Sequence, residues 1–116
     1  MAKTFKVQQT FKNTTARKTY PTILSIFKKW DEEKSKLATD QYKGEILSVK
    51  KNNQVVFTLT DKSWEKGTLP SVVTIYFTDV GEDALVELFH SGIAEAYVDT
   101  YKAAWKEILK GLSKGA

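Results

Sequence analysis

The sequence predicts an α+β fold in which a curved antiparallel β-sheet wraps around a long C-terminal α-helix, with a shorter helix after the first strand. Two patterns carry that prediction. Stretches near 5–11, 44–60, 71–78 and 84–91 alternate apolar and polar residues with a period of two, as half-buried strands do. Residues 94–112 instead repeat their apolar side chains at spacings of three and four, the pattern of an amphipathic helix. At 116 residues the chain has enough surface to bury for one core and not for two, so a single unit over 1–116 is expected.

The first strand is FKVQQTF, where Phe5, Val7, Gln9 and Phe11 oppose Lys6, Gln8, Thr10 and Lys12. Asn13, Thr14 and Thr15 then supply capping side chains for a helix. YPTILSIFKKW, residues 20–30, sets Ile23, Phe27 and Trp30 at helical spacing, with Pro21 suited to a first turn. The charged run DEEKSKLATDQ is compatible with a fraying helix end, a loop or a short strand. GEILSVKKNNQVVFTLT reads as a hairpin, because asparagine tolerates the left-handed conformation of a tight turn, and Val55, Phe57 and Leu59 share one face. DKSWEKGTLP is a loop containing Trp64. Beyond it, SVVTIYFT aligns Val73, Ile75 and Phe77, and ALVELFHS aligns Val86, Leu88 and His90. These strands form an antiparallel meander. The terminal helix, from about Ala94 to Leu112, presents Val98, Tyr101, Trp105, Ile108 and Leu112 on one stripe and Lys102, Lys106, Lys110 and Lys114 on another.

Composition removes several function classes. With no cysteine there is no disulfide, thiolate metal site or cysteine nucleophile. One histidine leaves any metal to oxygen ligands, and Asp79, Glu82 and Asp83 lack the ligand alternation of a calcium loop, so they read as a solvated turn and no metal or cofactor is expected. The net charge of +4 comes from scattered lysines with a single arginine, Arg17, which does not suit a nucleic-acid reader. No apolar run approaches a membrane span or a signal peptide, so no membrane partner and a cytoplasmic location are expected.

The order GEILSV, NNQVVFTLTDKSW, PSVVTIYFTDVGEDALVELFHSGI and a helix bearing AAWKEILKGL resembles the activator of heat-shock protein 90 ATPase homologue family, of the START-like, birch-pollen-allergen-like helix-grip superfamily. The likeness covers about 43–112 well and 5–30 more loosely. It implies an apolar cavity between sheet and helix. Members commonly carry two helices and a Gly-Gly strand before GEILSV, so here that strand is expected to be missing or shortened to about 36–39, with a smaller or more open pocket.

The candidate residues follow from these readings. Trp30, Phe57, Ile75, Phe77, Leu88, His90, Tyr97, Tyr101 and Trp105 are expected to face the space between sheet and helix, as plain core or as the lining of a ligand cavity. Ser91 and Glu87 alternate away from His90, so the Ser-His adjacency is no catalytic pair. His90 reads as a polar residue at a strand end, hydrogen-bonded near the helix start, with ligand contact as the alternative. Trp64 reads as a side chain folded back over the cavity or as an anchor for a protein partner, with Lys102 and Lys106 beside it as partner contacts. The expected function is therefore a non-enzymatic binding domain for a small apolar ligand. A regulator docking on a chaperone ATPase is the alternative, and a small enzyme resting on His90 the third reading.

Overall fold

The computed structural model describes residues 2–39, 41–64 and 67–115. Its strands are β1 (Ala2–Phe11), β2 (Lys29–Asp31), β3 (Lys36–Ala38), β4 (Tyr42–Lys50), β5 (Gln54–Asp61), β6 (Ser71–Val80) and β7 (Asp83–Ala94). They form one seven-stranded sheet in the order β1-β7-β6-β5-β4-β3-β2, and every neighbouring pair is antiparallel. Consecutive strands from β2 to β7 are spatial neighbours, and β1 closes the far side against β7. Helix α1 (Ala16–Leu24) follows β1, and a 3-10 turn at Glu95–Tyr97 leads into helix α2 (Val98–Gly115).

The register aligns the inner-face side chains in rows across the strands. One row runs Ile46, Phe57, Val73, His90, Phe5, and the next runs Val49, Val55, Ile75, Leu88, Val7. Against this face α2 lays Tyr101, Trp105 and Leu109, all buried, along β1. Ile108 is exposed and Leu109 takes the place expected for it. Both lie one turn beyond Trp105, and the approach of α2 to β1 selects the residue at i+4.

Curvature has local causes. The ladder shifts between Ile46 and Ser48 and again between Lys3 and Thr4, and such bulges bend the strand that carries them. In the second, Ser91 pairs with Thr4 and Ile93 with Lys3, leaving Gly92 unpaired at φ 73°. The extra residue resets the alternation, so Ile93 returns to the buried face. Strand β7 therefore does not end at His90 but continues to Ala94.

The first helix departs from expectation. It spans 16–24 rather than 20–30, so Pro21 lies inside it, and Phe27 and Trp30 belong to the following turn and to β2. The Thr15 hydroxyl caps it by accepting the Lys18 N–H at 3.2 Å. Tertiary contacts fix its start as well: Asp79 Oδ1 accepts the Ala16 N–H at 2.7 Å and Asp83 Oδ1 the Asn13 N–H at 2.9 Å. The turn carboxylates thus orient α1 in addition to being solvated. The Asn13 hydrogen bond outweighs desolvation and, with Lys12, holds the Asp83 carboxyl below its ordinary range. The ambiguous run after Trp30 folds as a hairpin, and its second strand, β3, matches the shortened strand expected near 36–39. Among the described residues no helix is long and apolar enough to cross a membrane.

Candidate functional site

Strand alternation puts His90 on the inner face, fully buried between Phe5 and Val73 of the adjoining strands. The indole Nε1–H of Trp105 donates to His90 Nδ1 at 3.1 Å. An indole nitrogen can only donate, so Nδ1 is the bare nitrogen and the proton sits on Nε2. That Nε2–H donates to Ser71 Oγ at 2.7 Å, and the Ser71 hydroxyl donates to the Leu59 carbonyl at 2.9 Å. Every donor and acceptor in this chain is used once, with one direction of proton placement. Burial keeps the imidazole neutral by lowering its pKa from 6.5 to about 4. The relay ties α2 to β7 and β6 through side chains and ends on the backbone of β5.

A second polar node lies one turn earlier on α2. The alternation Val55, Phe57, Leu59, continued one step, brings Asp61 to the inner face, where it is buried. Its Oδ2 accepts the Tyr101 hydroxyl and Gln41 Nε2–H (3.1 Å), while Oδ1 accepts the Ser63 N–H (2.8 Å) and hydroxyl (2.7 Å). Desolvation raises the Asp61 pKa, but the hydrogen bonds from Tyr101, Ser63 and Gln41 outweigh it and the net shift is downward. Tyr101 is pushed up, first by its own burial and then by the carboxylate it serves. Among the described residues no ion pair compensates Asp61; dipoles hold the charge instead.

Trp64 closes this end of the molecule. From the loop after β5 it folds back to stack on Tyr97 (5.9 Å between centroids, 19° between planes) and meets Tyr101 edge-on at 5.8 Å. Its indole N–H is buried and forms no hydrogen bond of good geometry among the described residues, although it lies near enough to the Tyr101 oxygen to ease ionisation of that hydroxyl. Of the two folds expected for Trp64, the backward one is present, so the ring is not displayed as an outward anchor.

The other candidate residues divide. Phe57, Ile75, Leu88, His90, Tyr101 and Trp105 meet in the core, with His90 contacting the Tyr101 and Trp105 rings at 5.8 and 6.3 Å. Side chains fill the space between sheet and helix there. Trp30 packs edge-on against Phe57, and Phe77 lies against Tyr20 of α1, away from Trp64. Tyr97 is a rim residue, 38% exposed. Lys102 is half-buried and Lys106 exposed. Two open cavities lie away from this core, one of about 720 Å³ on the outer face of β2–β5 and one of about 550 Å³ between α1 and the 50–53 turn. Among the described residues no group of three or more metal-ligating side chains is present.

Sequence reasoning missed Ser71 and Asp61. Both were accessible as one-step extensions of an inward alternation, but which polar residue meets which depends on register, and register is not written in any single strand.

A bent antiparallel sheet closed by one long C-terminal helix, with aromatic and polar groups between them, defines a START-like helix-grip domain. The family model described as activator of Hsp90 ATPase homolog 1-like protein matches residues 27–115, and the chain belongs to that family. No curated protein matches it. Among solved structures, CalU16 from Micromonospora echinospora is similar with a TM-score of 0.82 at 16% identity, covering 97% of this chain and 75% of that one. MLL2253 from Mesorhizobium loti gives 0.77 at 16% identity over 97% and 95%. PFC0360w from Plasmodium falciparum, described as an HSP90 activator, gives 0.71 at 16% identity over 90% and 88%.

Proposed function

We propose that the protein is a non-enzymatic binding domain that accepts a small, mainly apolar ligand between the sheet and α2, at the end closed by Trp64. The observation that carries this reading is the buried Trp64 indole N–H, which forms no hydrogen bond of good geometry among the described residues, set among Tyr97 and Tyr101. Such a donor costs roughly 1–3 kcal/mol while unpaired, and an oxygen on a ligand that displaces or slides beneath the ring relieves that cost. Both ring nitrogens of His90 and the hydroxyl proton of Tyr101 are already committed, so orientation falls to Trp64 and to Tyr97 at the rim. The same saturation argues against catalysis. Ser71 and His90 resemble a nucleophile and its base, yet both are fully buried and the serine proton is given to a backbone carbonyl.

Incubation with 2-naphthol, which joins an apolar body to one hydroxyl, is expected to give one-to-one occupancy by native mass spectrometry and to quench tryptophan fluorescence. Trp64→Phe keeps the ring but removes the N–H, and is expected to weaken binding about fivefold to tenfold, near 1 kcal/mol. Equal binding by that variant, or no uptake by the parent chain of 2-naphthol or comparable aromatic alcohols, would discard the reading.

A second reading, docking on a chaperone ATPase, is favoured by the family's description and by the cationic row on α2, where Lys106, Lys110 and Lys114 are exposed. It predicts retention of a purified Hsp90-type ATPase that weakens with salt and with Lys102→Glu plus Lys106→Glu. Retention indifferent to both would count against it.

A further inference from the structure

The outer face of β2–β5 carries a charge arrangement that neither reading uses. Because Leu37, Leu59 and the Trp30–Phe57 contact define the inner side, Lys29, Ala38, Lys43 and Thr60 all face outward, and the register places them in one row across four strands. The neighbouring row holds Asp31, Lys36 and Glu45, so the Lys36 charge is flanked by two carboxylates. Lys29 and Lys43 have only Ala38 between them and Thr60 beyond. Among the described residues neither lysine is in an ion pair. Two strand spacings separate them, about 10 Å.

These rows floor the open groove of about 720 Å³, which Pro70 bounds on its far side. Leu69, next to Pro70, is 80% exposed, the most exposed large apolar side chain described. We propose that this groove is a docking site for an acidic, extended peptide segment of a partner protein. Its carboxylates pair with Lys29 and Lys43 across Ala38, and an apolar side chain of the segment covers Leu69. The chemistry selects this occupant over the others. One phosphate or carboxylate spans neither the lysine separation nor the groove. A nucleic-acid strand would lay its continuous charge over Asp31 and Glu45 as well, where like charges repel it, whereas a peptide sets discrete acids on the lysine row alone. The inference is independent of the ligand proposed beneath Trp64.

The test uses fluorescence anisotropy of a fluorescein-labelled dodecapeptide in which glutamates are interspersed with leucine and serine. Saturable one-to-one binding is expected. Lys29→Glu with Lys43→Glu should weaken it at least tenfold, while Lys3→Glu with Lys18→Glu, an equal change of net charge at exposed positions outside the groove, should leave it within twofold. Ala38→Phe fills the floor without altering charge and should also weaken binding several-fold, so the result does not hang on one variant. Circular dichroism and thermal midpoints establish that each variant is folded. The proposal is overturned if binding is absent, if both charge reversals weaken it alike, if millimolar inorganic phosphate displaces the peptide, or if a dodecathymidylate binds as tightly.

Discussion

Both ring nitrogens of His90 are committed, and a proton added to Nδ1 would meet the Trp105 indole donor rather than an acceptor. Burial therefore lowers the folded-state pKa from 6.5 to about 4. Below pH 6.5 the unfolded chain takes up a proton that the native chain refuses until about pH 4. This contribution to stability is complete above pH 6.5, falls as pH drops from 6.5 to 4, and is level below that. The loss amounts to about 3 kcal/mol. Asp61 acts in a separate window: its folded pKa lies below the ordinary aspartate value of 3.8, so its contribution is lost only as pH falls beneath that value. Urea midpoints at pH 7, 5.5 and 4.5 are expected to decline for the parent chain and to be nearly level for His90→Gln. Parallel declines in both would show that the relay does not govern acid sensitivity. His90 was visible in the sequence as the lone histidine on an apolar face. Its partners were not, because Ser71 lies 19 residues away and Trp105 reaches it from another element.

At the level of elements, the crossing of β4 over β5 rests on a single residue. A Cβ on Gly44 would lie 1.9 Å from the Thr58 carbonyl oxygen and 2.9 Å from its carbon, both backbone atoms that cannot rotate aside. There the regular ladder lapses, and the Thr58 hydroxyl accepts the Glu45 N–H at 2.9 Å instead. Gly44→Ala is expected to cost about 3 kcal/mol or more through forced separation of the strands. A thermal midpoint at least ~10 °C lower would express that cost, and a midpoint within a degree or two of the parent would refute the close approach. The periodic elements were legible because each writes its own pattern: the alternations of β1 and β5–β7 and the stripe of α2 required no knowledge of neighbours. The start of α1 was not, since Asp79 holds its first N–H from 63 residues away and Asp83 holds Asn13, just ahead of it, from 70. The β2–β3 hairpin was equally opaque, because three-residue strands are too short to display a period.

Over the whole molecule, the family match begins at residue 27, but the sheet does not. Strand β1 pairs with β7 along its full length and underlies α2, and its Phe5 ring lies 5.2 Å from His90. Phe5, Val7, Phe11, Tyr20 and Ile23, all in the first 26 residues, are buried in the same core as Trp105. At about 1.5–3 kcal/mol for each buried side chain, their removal forfeits on the order of 10 kcal/mol, comparable to the entire stability of an ordinary domain of roughly 5–15 kcal/mol. It also bares the edge of β7 that pairs with β1 and the face of α2 that β1 covers. A fragment of residues 27–115 is therefore expected to show no cooperative thermal transition and poor amide dispersion by NMR. Adding a synthetic peptide of residues 1–26 in excess is expected to restore both, since the missing contacts are supplied whether or not the chain is continuous. A fragment that unfolds cooperatively without the peptide would mean that β1 and α1 decorate a core that is complete without them, and that the His90 relay stands without its Phe5 wall.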